Sequence, residues 1–69
     1  MALVEKTYFV QDYVNFRDKV LKLSFAIKKI VIFVYIGFVP EQNKYKVVLR
    51  AEPELVQQIE NLIRDGQLK

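Results

Sequence analysis

Ten consecutive residues without a charge, Ile30-Val31-Ile32-Phe33-Val34-Tyr35-Ile36-Gly37-Phe38-Val39, constrain this chain more than any other feature of it. Lys28-Lys29 precede the run and Pro40-Glu41 close it. A membrane-spanning helix needs about 20 apolar residues, and extending the run backwards would bring in Lys22, Lys28 and Lys29, so no membrane association is expected. β-Branched and aromatic residues dominate the run and turn-forming residues bound it, which predicts a buried strand.

Side chains alternate across a strand. Ile30, Ile32, Val34, Ile36 and Phe38 are therefore expected on one face, and Val31, Phe33, Tyr35 and Val39 on the other. If helices of the same chain cover the first set, the second faces water or another chain, and contiguous apolar patches of that size usually mark an interaction surface. Val31, Phe33, Tyr35 and Val39 are the predicted interface residues. At about 3.3 Å per residue the strand spans roughly 33 Å, with Gly37 as a natural bend or bulge.

The remaining segments arrange themselves around this strand. Val4 to Val10 is rich in β-forming residues and predicts a first strand. Asp12 can cap a helix whose apolar positions Tyr13, Phe16, Val20, Leu23 and Ile27 recur at steps of three and four, with Val14, Leu21 and Phe25 widening the stripe. Residues 40–44 suit a hairpin loop. Beyond it Tyr45, Val47, Leu49 and Ala51 alternate with Lys46, Val48 and Arg50, the pattern of a strand buried on one face. Pro53 beside Glu52 and Glu54 marks the start of a second helix, Leu55, Val56, Ile59, Leu62 and Ile63 form its buried stripe, and Gly66 ends it.

The order β-α-β-β-α predicts a small two-layer α+β domain over residues 1–69, a three-stranded sheet with two helices on one face. Two topologies fit. In one, the second strand is central and parallel to the first; in the other, the chain follows a ferredoxin-like β-α-β-β-α-β order but stops before the last strand, since only Gln67, Leu68 and Lys69 follow Gly66. That element order carries no motif and transfers no function. A chain of about this length buries only roughly 60% of the surface its unfolded form exposes, and this one has neither cysteine nor histidine for a disulfide or a zinc site. Dimerisation is the expected completion of its core, C2 dimers being the commonest oligomers.

Chemistry is sparse. The usual bases, nucleophiles and transition-metal ligands are missing, and the single serine, Ser24, falls inside a helix. The two glycines build no phosphate loop. No enzymatic activity and no cofactor are expected. The N-terminus lacks the basic start and apolar core of a signal peptide, so a cytoplasmic location is the default.

Charge is unevenly spread. Residues 17–50 hold eight cations against Asp18 and Glu41, a net +6, whereas residues 51–69 are net acidic. Lys28, Lys29, Lys44, Lys46 and Arg50 are the candidate phosphate-binding residues, with Phe33 and Tyr35 as aromatic neighbours that a single-strand binder would use. The glycine-aromatic signature of RNA-recognition sheets is absent. The leading expectation is thus a non-enzymatic homodimer that binds another protein, and the alternative is a nucleic-acid-binding protein using the basic residues.

Overall fold

The computed structural model describes residues 2–68; Met1 and Lys69, the two ends of the single domain expected above, lie outside them. Five elements follow in the expected order: β1 Val4–Val10, α1 Tyr13–Ile27, β2 Val31–Val39, β3 Lys44–Ala51 and α2 Pro53–Arg64. The sheet order is β1-β3-β2, and β3 is antiparallel to both neighbours. Of the two topologies, the central second strand is therefore corrected. The third strand takes the middle, splitting the β1-α1-β2 unit, as the ferredoxin-like order requires.

Local chemistry explains each boundary. Asp12 caps α1 by accepting a hydrogen bond from the Asn15 amide at 3.0 Å. The helix ends at Lys28, whose left-handed backbone (φ 56°) lets the Lys28 and Lys29 amides close onto the Phe25 and Ser24 carbonyls. Ser24 is structural here, its hydroxyl donating to the Lys29 carbonyl. The β2–β3 turn closes through Asn43, also left-handed (φ 54°), a conformation that asparagine tolerates.

Pro53 opens α2 as expected, and the Glu52 carbonyl accepts the first helical amides, from Leu55 and Val56, but the Glu52 side chain makes no capping bond to this helix. Its buried carboxylate, 7% exposed, accepts the Ile30 amide at 2.7 Å, while the Glu52 amide donates to the Ile30 carbonyl. This pair of bonds ties the entrance of β2 to the entrance of α2. At the other end Gly66 (φ 78°) reverses the chain, the Gln67 amide closes onto the Leu62 carbonyl, and Leu68 turns back into the core at 2% exposure.

Both helices cover one face of the sheet. Val47, Leu49 and Ala51 from β3 are fully buried beneath Phe16 and Val20 of α1 and Leu55 and Ile59 of α2. Two expectations about helix faces need correction. Ile63 is 37% exposed and lies off the buried stripe, because Leu55, Ile59 and Leu62 already span the contact that one helix can make with the sheet. Val14, Leu21 and Phe25 do not widen the α1 core stripe either; all three are exposed, on a flank turned away from the centre of the sheet.

Candidate interaction surface

The face of the sheet opposite the helices is open, and the strand register states what occupies it. From β1 come Glu5, Thr7 and Phe9; from β3 come Lys44, Lys46, Val48 and Arg50; from β2 come Ile32, Tyr35, Gly37 and Val39. Cross-strand rows run Glu5–Arg50–Ile32, Thr7–Val48–Tyr35 and Phe9–Lys46–Gly37. Ile32, Tyr35 and Phe9 are each between 42% and 54% exposed.

A bulge decides which residues reach this face. Phe33 pairs with Leu49 but Tyr35 pairs with Val48, so β2 carries one extra residue, Val34, and its side-chain parity reverses there. Val31 and Phe33, before the bulge, pack against the core together with Ile36 after it. Tyr35 and Val39 share the open face with Ile32. The four residues expected as one interface are thus divided between two faces, since strict alternation does not survive an inserted residue. The bulge also falls at Val34 rather than Gly37. Gly37 does something else: a Cβ there would strike the Tyr35 phenol, so the missing side chain lets the Tyr35 ring lie along the sheet.

The five basic residues are divided too. Lys28 and Lys29 stand where β2 begins, beside the Ala51 end of β3, and Lys44 and Lys46 stand at the opposite end of the β2–β3 hairpin. Lys29 is paired with Glu54 at 3.6 Å and Arg50 with Glu5 at 3.0 Å. Among the described residues Lys46 makes no ion pair; its row places it between Phe9 and the glycine over which Tyr35 lies. Lys44 also borders a cavity of about 340 Å³ beside the end of β1, lined with Tyr8, Phe9, Val10, Ile63 and Leu68.

Val48 stands on this surface as the alternation of the third strand implied, whereas Phe9 and Ile32 were not expected there. Phe9 could have been found from the alternation of β1, because that strand is not bulged; Ile32 could not, since only the register places it with Tyr35. In chemical terms the face offers apolar area, two aromatic rings and a short row of cations. No group of three or more metal-ligating side chains occurs among the described residues, and no helix among them is long and apolar enough to cross a membrane. Compared with known protein families, curated proteins and solved structures, the chain matches none.

Proposed function

We propose that the protein is a non-enzymatic, homodimeric module that works by binding another protein on the open face of its sheet. One observation carries this reading: Phe9, Ile32 and Tyr35 stand exposed on a face that neither helix covers, with Val48 on the strand between them, and large apolar side chains left on an uncovered face are a common signature of a docking site. The flat lie of Tyr35 over Gly37 adds a rigid ring whose apolar body and hydroxyl suit a protein contact. The absence of histidine and cysteine from the sequence supports a role without catalysis.

A second reading rests on the row Phe9–Lys46–Gly37, which sets a cation among aromatics as single-strand binders do. It is the weaker one. Phosphate binding needs several cations acting together, whereas Arg50 and Lys29 already face carboxylates and Lys28 stands at the far end of the hairpin.

Affinity capture from a lysate of the source organism, with and without nuclease, tests the choice. The expected result is one protein retained by the wild type after nuclease treatment and lost with Tyr35→Glu, an exposed change that leaves the circular dichroism intact. Retention abolished by nuclease, together with saturable oligonucleotide binding that weakens steeply with salt and is lost when Lys46 and Arg50 are both replaced by alanine, would transfer the face to nucleic acid.

A further inference from the structure

The sheet has two edges, and they are built differently. β1 carries Glu5 and Lys6, charges of the kind that discourage a foreign strand from pairing. β2 presents nine residues with neither charge nor proline, and among the described residues its outer side pairs with no strand. Native proteins cover or blunt such an edge, because it is a template for another chain.

The helix beside this edge carries exposed apolar residues on the same side, with the Arg17 cation at helical spacing among them. Val14, Leu21 and Phe25 are exposed on one flank of α1, Phe25 to 83%. Leu21 and Phe25 border a shallow cleft with Ile30 and Val31, whose rim also carries Ser24, Lys28 and Lys29. At the opposite end of the helix the Tyr13 ring packs at a tilt against Tyr45, which in turn meets Phe38. α1 therefore runs antiparallel to β2, its exposed flank level with the bare edge along its length, and the middle of the helix near Val20 lies level with the bulge at Val34.

That alignment is self-complementary. A two-fold axis through the level of Val34 and Val20 would pair β2 antiparallel with its copy and bring α1 antiparallel to its own copy. Val14 then comes level with Phe25 of the second copy, and Asp18 with its Lys22. Asp18 and Lys22 already pair at 3.2 Å within one helix, so the axis joins two such pairs into a ring of alternating charge. A footprint of nine strand residues, roughly 30 Å long, by a helix and a sheet layer of about 10 Å each is roughly 600 Å² in projection. Stable dimers bury about 800 Å² of accessible surface per partner, the same order as that footprint.

We infer that a second copy of this chain occupies the β2 edge, with the α1 flank of Val14, Leu21 and Phe25 packed across the same axis. Six strands then form one continuous sheet, with a single uninterrupted open face. The inference rests on the dimeric reading above and specifies the surface that makes the dimer.

Light scattering after size exclusion and native mass spectrometry test it on the full chain. Wild type is expected at twice the 8.2 kDa protomer mass, and Phe25→Asp, at a largely exposed position, at the protomer mass with unchanged circular dichroism. Mixing Asp18→Lys with Lys22→Asp protein should give heterodimer beyond the statistical share, because like charges meet in each homodimer and opposite charges in the mixture. A wild type that stays monomeric at micromolar concentration overturns the dimeric reading itself. A dimer that survives Phe25→Asp, or a purely statistical mixture, overturns this interface and leaves that reading in place.

Discussion

Tyr8 sits where the fold holds on to its phenol proton. Its ring packs at a tilt against Phe16 in the core, centroids 5.5 Å apart, and its hydroxyl donates toward the Glu60 carboxylate at 3.4 Å. Burial first, then the charge of Glu60 and the hydrogen bond to it, push the hydroxyl from 10.0 up to about 12. The folded state thus holds a proton that the unfolded chain releases near pH 10. The corresponding stabilisation is complete below pH 10 and is lost as the pH rises to about 12. Tyr8→Phe keeps the ring and removes the titration. Denaturation at a series of pH values from 9 to 12 should show the wild type losing stability relative to Tyr8→Phe only above pH 10; a constant difference would contradict the assignment.

At the level of elements, the two helices stop by related means with unequal strain. α2 turns at Gly66, where a positive φ costs nothing, but α1 turns at Lys28, where a side chain must sit in the left-handed region. The hydrogen bonds from Lys28 and Lys29 hold that turn against its strain, so the helix end stays in place. Lys28→Gly should stabilise the fold by about 0.5 to 1 kcal/mol, the excess of the relieved strain over the greater freedom of glycine in the unfolded chain. Thermal unfolding measures this as a rise in Tm of a few degrees. A fall in Tm would mean that the Lys28 side chain contributes a contact that outweighs the backbone strain.

The whole molecule depends on one apolar layer between the sheet and both helices. Ile59 lies at its centre, fully buried with Leu49, Leu55 and Phe16. Ile59→Ala is expected to cost roughly 2 to 5 kcal/mol, the transfer and cavity terms together, a large share of the stability available to a domain of this size. Ile63, one turn further along the same helix but partly exposed, should cost well under half as much on the same substitution. Chemical denaturation of the two variants side by side checks the helix orientation, and equal losses would show that α2 is rotated from the position described.

Periodicity and punctuation were enough to establish the elements. The Asp12 cap, the proline start of α2, the Gly66 stop and the alternation of Tyr45, Val47, Leu49 and Ala51 all act within a few residues, and each is visible in the residues themselves. The middle position of β3, the bulge at Val34 and the return of Leu68 to the core were decided by tertiary structure. A strand's neighbours and an inserted residue depend on pairing between segments far apart in the chain, and alternation counted along one strand carries no record of its partner's register. For the same reason Val31, Phe33, Tyr35 and Val39 were legible as strand residues but not as members of separate faces. That Lys28 and Lys29 stand at the opposite end of the hairpin from Lys44 and Lys46 was implied by the hairpin order itself, since the two pairs enter successive antiparallel strands. The sequence determined which segments form; only the folded register decided what each side chain faces, because facing is a property of two strands and periodicity is a property of one.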